Sequence, residues 1–142
     1  MFEYKNRKNV RESFINRMAD YSTILHKDEY IRGYIICFIH ILLVSIPFFF
    51  VMLSNKLKIV IISQIFLLLI LFQHIYFDGC WMIRLERKIW NTNEWYGLWT
   101  YLFKVIESLG CKLNRQSRDN VFFIVYSIII GIGFYRIIKL LH

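Results

Sequence analysis

The sequence predicts an all-α integral membrane protein with three transmembrane helices and amphipathic helices at the interface. Two long apolar runs, residues 31–53 and 59–77, are separated only by Ser54-Asn55-Lys56-Leu57-Lys58, and a third lies at 121–138. The mean hydropathy of +0.44 comes from these concentrated blocks. A water-soluble domain would alternate apolar and polar positions at helix or strand period, and these runs do not. At about 1.5 Å per residue, about 20 residues cross a hydrocarbon core of about 30 Å. The first two runs, 23 and 19 residues long, each suffice. Their short link predicts an antiparallel helical hairpin. A chain of 142 residues has room for one domain.

Charge gives the predicted orientation. Residues 1–32 carry seven Lys and Arg, 54–58 two, 78–120 seven and 136–142 two. Basic residues collect on the side from which a membrane protein is inserted. Three spans then give fourteen inside against four outside, with the N-terminus inside and the C-terminus outside. The net charge of +8 does not favour nucleic acid as a partner. Five acidic residues are interleaved in each of the two basic segments, with no dense basic run. Anionic headgroups on the inner face are the expected partner, together with other membrane-complex subunits or capsid proteins. Three cysteines without CxxC spacing predict neither a disulfide framework nor a zinc site. The first apolar run lacks a small-residue cleavage site and reads as an uncleaved signal anchor. The bias toward Ile, Phe, Tyr, Lys and Asn, against a single Ala and a single Pro, reads as an AT-rich genome.

In chain order, residues 1–30 form an amphipathic segment in which Val10, Phe14, Met18, Tyr21 and Leu25 recur at helical spacing. It either lies on the inner surface or covers the inner loop. Asp28 and Glu29 suit the start of span one, where a carboxylate meets free N–H groups and the positive dipole end. Pro47 predicts a kink, because it removes a backbone hydrogen bond. In span two Ser63 and His74 share a face that Asp78 continues, a stripe expected to point at other helices. Asp78-Gly79 ends that span. Residues 78–120 are expected to form inner-face interfacial helices. The first covers 80–90, and the second starts at a capping box of Asn91 and Glu94 and stops at Gly110. All four tryptophans fall here, and tryptophan favours the headgroup level. Trp81, Arg84, Arg87, Lys88, Trp90, Trp95 and Trp99 are therefore the candidate lipid or partner interface. A soluble helical hairpin with its tryptophans inside is the competing reading. In span three Arg136 must snorkel outward to complete the crossing, and the alternative is a re-entrant or half-membrane helix. Ser127 and Gly131 form a small-xxx-small pair which, with Ser63, is the candidate for close helix packing.

Chemistry has one candidate location: Cys37, His40, His74, Asp78 and Cys80. Ionisable groups in a membrane are functional suspects. His40, His74 and Asp78 could hold a metal, and two histidines could hold a haem iron. Simple hydrogen bonding and capping by the same residues is the stronger alternative. No nucleophile–base pair at useful spacing, phosphate loop or metalloprotease motif is present, and no cofactor is expected.

The tract His74-Ile75-Tyr76-Phe77-Asp78-Gly79-Cys80, with the Leu85-Glu86 pair, resembles junctions in small multi-spanning proteins of large DNA viruses. The resemblance implies a virion or assembly membrane protein and assigns no catalytic role. The expected function is a structural or assembly subunit of a larger membrane complex, viral or respiratory in type, without enzymatic activity. The alternatives are a small membrane redox or metal-binding enzyme and an oligomeric viroporin-like channel.

Overall fold

A computed structural model describes residues 2–142, with the side chains of all but 2–5 and 115. Among the described residues there are six α-helices and no strand. They are α1 (Phe2–Ser22), α2 (Glu29–Leu53), α3 (Leu57–Phe77), α4 (Trp81–Ile89), α5 (Trp99–Ser108) and α6 (Arg115–Leu141). Three are long and apolar enough to cross a membrane: α2, α3 and residues Gln116–Leu141 of α6. The fold is thus all-α, as expected, and compatible with an integral membrane protein. Only 22, 28 and 22 % of the apolar windows of these helices are buried within the chain, so most of their surface is left for lipid or for other helices.

The ends of the helices follow from local chemistry. Asp28 Oδ1 accepts from the backbone N–H groups of Tyr30 and Ile31 at 2.8 and 3.1 Å, the expected cap of α2. Arg32 lies in the first turns of α2, buried and 3.8 Å from Glu29. Pro47 sits inside α2 without ending it. The link between α2 and α3 is Ser54-Asn55-Lys56. At the end of α3 the Gly79 N–H donates to the His74 carbonyl at 2.8 Å, with Asp78 left-handed at φ 53°. This is a 6→1 helix stop. α4 ends the same way: the Thr92 N–H donates to the Arg87 carbonyl at 3.0 Å, with Asn91 at φ 49°. Asn91 therefore closes α4 and does not cap a following helix. Residues 90–98 form a loop, and α5 starts at Trp99, later than the capping box predicted. Gly110, at φ 91°, follows α5 as expected.

The chain divides into two compact units. The first is Met1–Ile41 with Gln73–Thr100. Its apolar core is Ile36, Cys80, Met82, Leu85 and Ile89, joined by Met18, Ala19, Trp81, Ile83 and Trp90. α1 packs on α4, but not by the predicted stripe. Val10, Tyr21 and Leu25 are exposed, whereas Ile15 and Ser22 are buried and Met18 and Ala19 half-buried. The inward face is one row over, because Arg11 and Ile15 point at the α3–α4 turn and at α4. Phe14 still contributes, with ring contacts to Phe77 at 5.8 Å and Trp81 at 5.4 Å.

The second unit is Leu42–Phe72 with Tyr101–His142. Val51, Val60, Leu67, Phe103 and Tyr126 are buried in it. Ser63 is buried as predicted. Among the described residues the Ser127/Gly131 pair makes no close helix contact: Ser127 is exposed, and a methyl group at Gly131 would meet nothing within 4 Å. The row used instead is Tyr126, Ile130 and Gly133, spaced four and three apart. A side chain at Gly133 would collide with Gln64, whose Nε2 donates to the Ile130 carbonyl at 3.0 Å. Arg136, near the end of α6, reaches the α2–α3 hairpin link. Its guanidinium donates to the carbonyls of Val51 and Ser54 at 2.6 and 3.0 Å, closing the C-terminal end of α2.

Candidate functional site: a buried thiol, imidazole and carboxylate, and a cationic pocket

The stop at Asp78-Gly79 turns the chain so that Cys80, in extended conformation, is the N-cap of α4. It is a free thiol, 8 % exposed. Two histidines from two different helices reach it. His40, in α2, places Nε2 3.4 Å from the Cys80 sulfur. His74, in the last turn of α3 and buried, hydrogen-bonds the same thiol. The other ring nitrogen of His40, Nδ1, lies 2.8 Å from Glu86 Oε1. Glu86 is fully buried. Its second oxygen, Oε2, accepts the indole N–H of Trp95 at 2.5 Å. Gly97, left-handed at φ 60°, lets the loop pass close by. A Cβ there would be 3.7 Å from Glu86 Oε2 and 3.9 Å from His40 Cε1.

The geometry selects a tautomer. A carboxylate only accepts hydrogen bonds, so Nδ1 of His40 carries a proton and donates it to Glu86. Nε2 is then free to accept the Cys80 proton, or to return it. A buried carboxylate is costly without partners, and Glu86 has a donor on each oxygen. For Cys80, which lies outside the spanning helices, burial alone pushes the thiol up. The hydrogen bonds and charges of His40 and His74 outweigh burial and hold it lowered, at about 6.

The structure therefore gathers Cys80, His40 and His74, adds Glu86 and Trp95, and leaves out Asp78. The Asp78 carboxylate lies 3.6 Å from Arg11 and 3.7 Å from Arg84. Among the described residues no group of three His, Cys, Asp or Glu is placed to hold a metal ion. No nucleophile–base pair lies at useful spacing in the sequence, but Cys80 and His40 meet across 40 residues of it. Sequence spacing missed Glu86, yet a signal was there. Met82, Leu85, Glu86 and Ile89 share the buried face of α4, and a carboxylate on such a face demands partners.

Several residues of the predicted interface also make contacts within the chain. Trp90 and Trp95 pack edge to face at 5.0 Å, and Trp90 lies against Gly33, where any Cβ would collide with the indole. The basic residues of the predicted interface build a cavity of about 380 Å³ between α1 and α4. Arg11, Arg84, Arg87 and Lys88 line it together with Glu12, and Asp78 pairs with Arg11 and Arg84. Lys88 donates to Asn16 on the facing helix. Arg87 donates through Nε to the Trp95 carbonyl at 2.5 Å and stacks on the Tyr96 ring at 3.9 Å. Its Nη2 is buried without a hydrogen-bond partner. Such a donor, beside three further cations, is suited to an anion.

No protein family, curated protein or solved structure matches this chain.

Proposed function

We propose that this chain is a multi-pass membrane subunit whose α1–α4 layer docks on anionic headgroups, its three spans anchoring it within a larger assembly. The cationic cavity carries this reading: four basic side chains around one space, one of them with an unsatisfied buried nitrogen. The distribution of basic residues supports an orientation with the N-terminus and the α4–α5 segment on the inner side and the C-terminus outside. The exposed apolar side chains Leu102 and Val105 of α5, with Leu98 before the helix and Leu109 after it, support an interfacial position for that helix. The resemblance at the Asp78-Gly79-Cys80 turn makes a virion membrane one setting for the assembly. The test is reconstitution of the full chain in nanodiscs of neutral lipid with and without phosphatidylserine or phosphatidylinositol phosphate. Anionic lipid is expected to raise the melting temperature and to co-purify with the protein, and an Arg84→Gln/Lys88→Gln variant to lose both effects. Equal behaviour in neutral and anionic discs would remove the lipid reading. Gentle extraction from the native membrane followed by mass spectrometry names the assembly, and migration of the chain alone would refute a subunit role.

A further inference from the structure

The lipid-docking reading leaves the Cys80 cluster unused, and its arrangement is more specific than helix packing requires. A thiol needs no histidine to be buried, because free cysteine packs as a small apolar side chain. Here two imidazoles converge on one sulfur. One of them is held from behind by a carboxylate whose other oxygen is fixed by an indole. This is the order of parts in a base-activated nucleophile: nucleophile, base, and a group that orients the base.

We propose that Cys80 is a nucleophilic thiol that accepts a long-chain acyl group from an acyl thioester at the membrane interface. The substrate class follows from the surroundings. Cys80 sits directly beyond α3, at the end of an apolar helix long enough to cross a membrane. Its apolar neighbours in the core, Ile36, Met82, Leu85 and Ile89, suit an apolar chain, while the polar groups His40 and Glu86 serve the thiol itself. A thioester donor makes transfer to a thiol nearly balanced in energy, because one thioester replaces another.

The step balances within the site. His40 Nε2 takes the proton of the Cys80 thiol, and the sulfur attacks the carbonyl carbon. A carbon–sulfur bond forms to Cys80, and the bond from that carbon to the donor's sulfur breaks. The departing thiolate recovers the proton from His40 Nε2. Nothing is oxidised or reduced. His40 is the acid and base. Glu86 and Trp95 are positioning residues, since they touch the imidazole directly or at one remove and not the sulfur. His74 gives the sulfur a second hydrogen bond.

The experiment uses the full chain in nanodiscs and an alkyne-tagged hexadecanoyl-CoA, with the modified residue located by mass spectrometry. The expected result is a hydroxylamine-labile acyl group on Cys80, with little on Cys37 and Cys111. Cys80→Ser abolishes the labile adduct, and His40→Gln slows its formation by at least tenfold. Glu86→Gln keeps the site of labelling but slows it and moves its pH profile upward, which a purely structural carboxylate would not do. A second measurement needs no variant. In the folded chain, iodoacetamide is expected to alkylate the buried Cys80 faster than the exposed Cys111. Labelling dominated by Cys111, or a Cys80 that reacts only after denaturation, would overturn the proposal. So would acyl transfer unaffected by His40→Gln in a folded variant. Because these readouts involve no anionic lipid, they fail independently of the docking reading.

Discussion

Glu86 has no exposed surface, and both of its oxygens are engaged, by His40 and by Trp95. Removing one donor leaves a buried acceptor unsatisfied, at a cost of about 1–3 kcal/mol. Trp95→Phe, which keeps the ring and loses the N–H, is expected to lower stability by about that amount, read as the denaturation midpoint in detergent. An unchanged midpoint would mean that the indole contact is not formed. The thiol next to His40 makes a prediction of its own. With Cys80 lowered to about 6, the thiolate dominates above that pH and is lost below it. Alkylation at Cys80 should therefore be level from about pH 7 upward and fall steeply below about pH 6, where an ordinary thiol of about 8.5 would still be gaining rate through pH 8. Stopped-time alkylation across pH, read by mass spectrometry at this one cysteine, checks it.

Between the elements, single atoms decide how closely helices approach. Gly33 leaves room for the Trp90 indole, a rigid ring that cannot swing aside, and any Cβ would overlap it. Gly33→Ala is expected to destabilise the first unit by about 1–3 kcal/mol, the usual range for overpacking. Leu and Ala substitutions at the open position Gly131 should be near neutral in the isolated chain. The contrast separates steric fit from helix propensity, which would favour alanine at both places. Arg136 supplies the corresponding polar contact, to two carbonyls at the end of α2. Hydrogen bonds from a charged donor are worth about 1.5–3 kcal/mol, so Arg136→Met should lower the melting midpoint by the equivalent amount, although methionine suits a membrane helix better. These contacts also mark what was legible in advance. The three long helices, the Asp28 cap, the Asp78-Gly79 stop and Gly110 follow from local rules of composition and backbone geometry. The face of α1, the role of Arg136 and the meeting of His40 with Cys80 depend on which helix lies opposite, and a periodic pattern does not encode its neighbour. The capping box at Asn91 failed because Asn91 serves equally well, left-handed, as the closing residue of α4.

For the whole molecule, position relative to the bilayer organises everything else. The apolar windows of the three long helices are mostly unburied within the chain. In water this surface would drive aggregation, whereas lipid or partner helices cover it without penalty. The basic residues then become informative as a set. The proposed orientation predicts that the α1–α4 layer, Cys80 and Cys111 share one side with the N-terminus and that residues after Arg136 lie on the other. Cysteine labelling of a chain with three substitutions reads this. In sealed inside-in vesicles of a Cys37→Ser/Cys80→Ser chain, a membrane-impermeant maleimide should leave the exposed Cys111 unlabelled until the membrane is permeabilised. A cysteine placed at His142 should label at once. Reversal of both results would turn the protein over and move the cationic cavity to the opposite face, where anionic lipid is scarcer. Labelling of both sites from one side would mean that α6, despite its length and composition, does not cross. The two sites together therefore test the crossing of α6 and the orientation in one measurement, and they test the membrane side on which an acyl donor and an anionic headgroup must be presented.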